Sequence, residues 1–309
     1  GCDLQHLEDA RQTRLKAEAL KETLERLGGL RELPPIRVRA GSPWGYRLRT
    51  QLHSEVVEDR VAVGYRARGS HQLVAVDRCP VLVPELEAWL PRLPLRLGSK
   101  APRRLDLCAG DGEAVTMAPV LEGLPHGEVL TEVEGFSLAY DARCFFQGHR
   151  GLLGAMVQEV VGAWEGEVAY DLYGGVGLFG LPLAKRYRRV VTVEGDRLAS
   201  RFARNNARRN RLTNVEVVAC SMEGWVERLE EGADRVVVDP PRTGLSPKVR
   251  SALLKALPRR LSYVSCHPAA LARDLRALTA RYRLESLTAL ELFPQTGHLE
   301  AVVQLVRSE

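Results

Sequence analysis

Lysine is scarce in this chain. Of its 44 basic residues, six are lysine and 38 are arginine. No apolar run approaches the roughly 18–20 residues that carry a helix across a bilayer, so a spanning helix is excluded. The first ten residues lack a basic start followed by an apolar stretch, so they do not read as a secretory signal. A cytoplasmic protein with no membrane partner is expected. The six cysteines, at 2, 79, 108, 144, 220 and 266, include no C-x-x-C pair. A disulfide framework is not expected in a cytoplasmic chain of this size, and each cysteine has to be judged by its setting. Internal repeats and low-complexity tracts are absent too.

What is present suits a globular chain. The 309 residues are enough for two domains with separate cores. The net charge of +5 is compatible with a nucleic-acid partner. Arginine suits phosphate recognition, although a general bias in composition gives the same excess.

The residue pattern changes along the chain. Leu20, Leu24 and Leu27 recur at helical spacing, and Gly28-Gly29 closes a helix over 8–27. Short β-like runs follow (36–39, 46–52, 56–65, 73–76 and 129–133), with a proline-rich stretch at 80–102. From about residue 142, strands alternate with helices. Strands are expected at 168–172, 190–193, 215–219, 235–238, 261–265, 289–293 and 299–306. The fold class is therefore α/β: a doubly wound, Rossmann-like domain preceded by a smaller, mostly antiparallel α+β domain. The expected division is 1–30, 31–141 and 142–309. Ligands of such sheets bind at the carboxyl ends of the strands.

Three motifs fall at those ends. Gly175, Gly177 and Gly180 follow Asp171 and satisfy G-x-G-x-x-G. Glu194 ends the next strand, where a carboxylate can accept from both hydroxyls of a ribose. A dinucleotide site and a methyl-donor site fit this pattern equally. Asp239-Pro240-Pro241-Arg242 ends the fourth strand as a stiff loop over the pocket. A dehydrogenase has no need of it, whereas an enzyme that clamps a planar base beside a methyl donor does. Cys266 ends the fifth strand and opens a helix, whose dipole favours a thiolate. Cys108, Cys144 and Cys220 have no such setting and read as inert.

On these motifs, residues 141–309 resemble the RNA uridine-5 methyltransferase family. The resemblance rests on Phe145-Phe146-Gln147, on Asp171 to Gly177, on Asp239 to Gly244, on Tyr263 to Asp274, and on Phe293-Pro294-Gln295-Thr296-Gly297-His298-Leu299-Glu300. It extends weakly to Asp77–Leu82 and to Gly1–His6. It implies S-adenosylmethionine as cofactor and RNA as partner. Cys266 would add to carbon 6 of a uracil, carbon 5 would take the methyl group, and Glu300 would remove the carbon-5 proton. Asp239 and Arg242 would hold the uracil or its enolate. Gln147, Tyr173, Gly175, Gly177, Leu178, Glu194, Ser221 and Asp239 would line the cofactor site, Leu178 through its backbone alone. His267 stands where many members carry Asn, either assisting deprotonation of the cysteine or filling the same space. Some members hold a 4Fe-4S cluster through four cysteines. Cys2 and Cys79 match two of those positions, and two cysteines cannot hold a cluster alone.

The resemblance leans toward a 23S ribosomal RNA target and a monomeric enzyme. Alternatives are a transfer-RNA uridine-5 enzyme, an RNA cytosine-5 enzyme, a nicotinamide-dependent oxidoreductase and a catalytically vestigial RNA-binding protein. RNA recognition is expected from the central segment, with Arg37, Arg39, Arg47, Arg49, Arg66 and Arg68 as the residues to test. The arginines of 201–211 read as a solvated helix face.

Overall fold

The computed structural model describes residues 2–58, 60–98 and 101–308. Gly1, the first residue of the weak match at the start, lies outside them. Helix α1 (Asp9–Arg26) and strand β1 (Ile36–Arg39) come first. Strands β2 (Arg49–Val57), β3 (Arg60–Arg66) and β4 (Leu73–Ala75) follow, then helices α2 (Pro84–Glu87) and α3 (Leu93–Leu97). Next are β5 (Arg104–Ala109), β6 (Val115–Ala118), β7 (Val129–Val133) and β8 (Phe136–Tyr140). The rest alternates: α4 (Leu153–Val161), β9 (Gly166–Leu172), α5 (Gly180–Leu183), β10 (Tyr187–Glu194), α6 (Arg197–Arg209), β11 (Val215–Ala219) and α7 (Met222–Trp225). It continues through β12 (Arg235–Val238), α8 (Pro247–Ala256), β13 (Arg260–Ser265), α9 (Pro268–Leu278), β14 (Tyr282–Leu290) and β15 (Glu300–Arg307).

Eight strands form one sheet in the order β1-β14-β15-β13-β12-β9-β10-β11. All pairings are parallel except those of β15 with β13 and β14. This is the Rossmann-like α/β sheet that the alternating pattern implies. Its inner strands are short β-branched runs buried on both faces, such as Arg235-Val236-Val237-Val238. Leu20 and Leu24 of α1 pack on one face, together with Val249 and Leu253 of α8 and Leu271 and Leu275 of α9. The other face lies under Met156, Leu181 and Phe202, and its core runs on into the second sheet through Phe146, Leu105 and Leu52.

The second sheet is antiparallel, ordered β4-β3-β2-β5-β6, and β7 pairs with β8 as a separate hairpin. That hairpin is pinned to α6 by two asparagines. Asn206 exchanges hydrogen bonds with both backbone groups of Ala139, and Asn210 does so with Ser137. Asn206 also donates to the Val176 carbonyl of the glycine loop at 3.0 Å.

Several elements differ from the sequence reading. Ile36–Arg39 forms a strand as expected, but it pairs with β14 on the edge of the large sheet. Strands β5, β6 and β8 gave no sequence signal strong enough to stand out. The helix expected after the glycine loop shrinks to Gly180–Leu183 and then continues as turns. β14 runs from Tyr282 to Leu290, earlier than the expected 289–293, and the chain leaves the sheet only after Leu290, which still pairs with Arg39 and Glu300.

Candidate active site

Strand order reverses between β9 and β12, so a crevice opens beyond their carboxyl ends. Three loops enter it. The first follows β9, with Gly175 and Gly177 at positive φ and Tyr173 sharing that conformation at +65°. Gly175 donates its N–H to Glu194 Oε2 at 2.8 Å, and Asp196 N–H donates to Glu194 Oε1 at 2.7 Å. Glu194 is thereby aimed across the crevice. The loop is folded over Asp171, which is fully buried with neither carboxyl oxygen in a well-formed hydrogen bond. A side chain at Gly174 or Gly180 would collide with Thr192 and crowd this carboxyl. Burial, chiefly, raises Asp171 to about 7; a nearby Gly180 N–H opposes the shift, and the charges of Asp239 and Glu194 add to it.

The second loop is Asp239 to Leu245. Gln147 donates to Asp239 Oδ2 at 3.2 Å. Gln147 is itself placed by Phe146, whose ring stacks on Tyr140 at 4.0 Å between centroids. Burial raises the Asp239 carboxyl, the Gln147 bond lowers it, and Glu194 raises it further. Asp274 of α9, wholly buried, anchors this loop. It accepts from Leu245 N–H at 2.8 Å, Tyr263 Oη at 2.7 Å, Arg250 Nη1 at 2.7 Å and Arg273 Nε at 2.9 Å. One carboxylate therefore ties the Asp239–Leu245 loop to the strand and helix that flank Cys266.

The third element is the junction of β13 and β15. Ser265 pairs with Ala301 across the ladder, so the next residue of one strand and the preceding residue of the other, Cys266 and Glu300, stand side by side. Glu300 is buried, and burial raises it well above an ordinary glutamate; Asp239 adds to the rise and Arg242 opposes it. Cys266 is half-buried, and its thiol is raised by burial, then by Glu300; Arg242 lowers it and Asp239 raises it. The balance departs from the helix-dipole expectation of a thiolate. Burial and two acidic neighbours outweigh the lowering by Arg242 and by the Cys266 backbone N–H. His267 caps α9, its Nδ1 accepting from Ala270 N–H at 3.2 Å. Its place in the sequence fits that capping role.

Two hollows share Tyr173 as a wall, and the smaller of them also borders Asp239. One, of about 700 Å³, is lined by Tyr173, Glu194, Gly195, Met222, Glu223 and Pro241, among others. The other is a narrow slot of about 40 Å³ bounded by Phe145, Gln147, Tyr173, Gly175, Leu178 and Asp239. Gln147, Tyr173, Gly175, Leu178, Glu194 and Asp239 are thus brought together. Gly177 and Ser221 line neither hollow. Gly177 faces Leu181 and Ala203 in the turn, and Ser221 caps α7 by accepting from Gly224 N–H at 3.3 Å.

The family described as tRNA (Uracil-5-)-methyltransferase matches residues 132–308. The 23S rRNA (uracil(1939)-C(5))-methyltransferase RlmD of Pectobacterium atrosepticum is 34% identical, over 98% of this chain and 76% of that protein. The enzyme of the same name from Edwardsiella ictaluri is 36% identical, over 98% and 78%. The chain belongs to the RNA uracil-5 methyltransferase family. It is an S-adenosylmethionine-dependent methyltransferase of RNA. Among solved structures, the Pyrococcus abyssi tRNA (uracil-54, C5)-methyltransferase in complex with S-adenosyl-L-homocysteine superposes with a TM-score of 0.79. It is 26% identical, over 99% of this chain and 86% of that one.

The hollows of this methyltransferase suit its cofactor. A carboxylate at Glu194 beside Met222 and Pro241 fits a ribose and an apolar base. Asp239 and the Gln147 amide fit a cationic amino-acid end.

Cys2 and Cys79 lie near enough that the Cys79 charge adds to the burial that raises the Cys2 thiol. Tyr65 Oη donates to Cys79 Sγ at 3.6 Å. Among the described residues no group of three or more cysteine, histidine or acidic side chains could hold a metal. Cys108 and Cys144 are buried, with thiols raised to about 12, as unreactive cysteines should be. Two residues of the site stood in the quoted motifs without an assigned role. Phe145 is exposed at the slot with the Arg49 guanidinium 5.2 Å from its ring centre. Asp274 stood in a quoted motif, but only the fold reveals its four donors.

Two outcomes are expected. Asp274→Leu should cost about 3–5 kcal/mol, as when one partner of a buried ion pair is removed; denaturant titration measures it. Asp171 keeps its proton up to about 7 in the folded chain and loses it at its ordinary 3.8 when unfolded. Its stabilising contribution is complete below the lower value and is lost as pH rises through the higher one, at up to about 1.4 kcal/mol per pH unit. Melting temperatures of Asp171→Asn should therefore fall less across that window than those of the unaltered protein. Equal slopes would show that Asp171 titrates normally.

Proposed function

We propose that this enzyme methylates carbon 5 of a uridine in 23S ribosomal RNA through a covalent adduct with Cys266. The observation that carries this reading is the pairing of Ser265 with Ala301, which sets a thiol and a buried carboxyl side by side at the mouth of the crevice. Bound S-adenosylmethionine supplies the methyl group, with Gln147, Tyr173, Gly175, Glu194 and Asp239 to hold it. The remaining work falls to the chain's own residues. Cys266 gives up its proton to solvent water, and the Sγ thiolate adds to carbon 6 of the uracil. The electron pair moves onto the enolate, which makes carbon 5 nucleophilic. Arg242, exposed beside the thiol, offsets that charge. Once carbon 5 is methylated, Glu300 takes its proton and the electron pair expels Sγ. A carboxylate with a raised pKa is a stronger base for this step than an ordinary one.

The target base must leave its stack to reach Cys266. Phe145, exposed under Arg49, offers an aromatic surface for it or its neighbour. The second sheet is proposed as the main RNA-recognising unit. Of the six arginines picked out in the sequence, Arg47 and Arg49 flank the site. Arg37 and Arg39 instead pair with Glu159 at the β1 edge, Arg66 pairs with Glu55, and Arg68 with Asp3. The 23S assignment is supported by relatives of 34–36% identity across nearly the whole chain. Cys2 and Cys79 are proposed as two ligands of an iron–sulfur cluster, which two cysteines cannot hold alone. Their proximity supports that reading.

Cys266→Ala should abolish both methyl transfer and covalent trapping of RNA in denaturing gels. Full activity in that variant would sink the mechanism. Mass-spectrometric mapping of 5-methyluridine after incubation with 23S and transfer-RNA transcripts tests the target. Methylation confined to transfer RNA overturns the ribosomal assignment. The rate of adduct formation should climb with pH up to and beyond 9.0, the ordinary thiol value, because burial and Glu300 raise Cys266. Arg242→Gln should push that profile to higher pH, since Arg242 is the charge that lowers the thiol. Replacing Arg47 and Arg49 by alanine should weaken RNA binding and reduce the slope of log affinity against log salt by about one per lost phosphate contact.

A further inference from the structure

Glu300 is the first residue of β15, and the segment before it, residues 291–299, contains neither helix nor strand. What fixes that segment comes from far away in sequence. Three consecutive carbonyls accept from three separate parts of the first 46 residues. Phe293 O accepts from Lys16 Nζ at 3.1 Å, Pro294 O from Tyr46 Oη at 3.0 Å, and Gln295 O from Leu4 N–H at 3.0 Å. Gln295 sits at φ +69°, a conformation uncommon for a residue with a side chain, and it is buried. Gln12 clamps it from both sides: Gln295 N–H donates to Gln12 Oε1 at 2.9 Å, and Gln12 Nε2 donates to Gln295 Oε1 at 3.0 Å. Beneath the turn, Lys16 and Glu291 form an ion pair of 2.6 Å with both side chains 4% exposed. The local bonds of the turn are few, chiefly Thr296 N–H and Oγ1 donating to Phe293 O at 3.2 and 2.8 Å.

We propose that Gln12 and Lys16 of α1 are positioning residues for Glu300: they hold the 293–295 turn in the one geometry that brings the carboxyl beside Cys266. Neither side chain need touch substrate. Their effect falls on the step that Glu300 performs, removal of the carbon-5 proton from the methylated adduct. The inference rests on the proposed role of Glu300 as that base.

The test compares Gln12→Leu, the double variant Lys16→Met/Glu291→Leu, and Glu300→Gln as reference. The double variant removes both buried charges together, so none is left unpaired, while the Phe293 carbonyl still loses its remote donor. Each is assayed with unmodified RNA and methyl-labelled S-adenosylmethionine. Readouts are kcat, KM, melting temperature and the labelled RNA–protein adduct that survives denaturing gels. A displaced base should lower kcat roughly ten- to a hundredfold with KM little changed. The labelled adduct should accumulate as it does in Glu300→Gln. A near-normal kcat, or a fall in kcat with no labelled adduct, overturns the proposal, because a merely structural role slows all steps alike. Failure of both variants to fold assigns the network to stability and overturns it too. If Glu300→Gln itself builds up no labelled adduct, the reading of Glu300 as base is what fails, and this inference falls with it.

Discussion

One reversed strand organises the reactive end of this protein. In a parallel sheet every strand delivers its last residue to the ligand crevice. Only a strand running the other way can deliver its first. β15 does so, lying between β13 and β14 and antiparallel to both. A residue that ends β13 and a residue that begins β15 therefore meet at the same level. The reversal also forces the chain to turn at the ligand end, so the β14–β15 connection has to be built at the rim of the site. Much of the remaining architecture supports that turn: α1 lies beneath it and Tyr46 reaches up to it.

The second constraint is electrostatic. Asp171, Asp239 and Glu300 all have raised carboxyls, and Cys266 has a raised thiol. Burial is the largest cause in each case, and Arg242 is the positive charge that Cys266 and Glu300 share. The resting site is accordingly short of positive charge. A sulfonium-bearing cofactor carries the charge opposite to that of these acidic groups. Gln147 moderates the burden at Asp239 by donating a neutral hydrogen bond, which screens a carboxyl without adding a countercharge.

Much of this was legible in the sequence because it is written in short range. The glycine loop, the Asp239-Pro240-Pro241-Arg242 turn and Cys266 each declare a strand end through adjacent residues, and the large sheet follows from their alternation. The pieces that were not legible depend on distant pairing. β1 carries a clear strand signal, yet nothing within Ile36–Arg39 says that its partner lies some 250 residues away, at Leu287–Leu290. Strands β5 and β6 are short, and β6 buries a threonine, Thr116, whose hydroxyl donates to the Gly127 carbonyl. The helix dipole that favours a thiolate at Cys266 is visible in the chain, whereas the burial and the carboxyls that raise its thiol are contributed by other strands. His267 is the reverse case: its capping bond from Ala270 N–H is made within its own stretch of chain.

The donors that serve Phe293, Pro294 and Gln295 also set an order of events in synthesis. A ribosome releases residues 4, 12, 16 and 46 long before residues 293–300 exist. Until the last strands emerge, α1 has no turn to hold, Lys16 has no Glu291, and β1 has no β14 beside it. The start of the chain must wait, exposed, for its end. A copy that stops before β15 therefore lacks the pairing of Ser265 with Ala301, the level at which the thiol and the buried carboxyl meet.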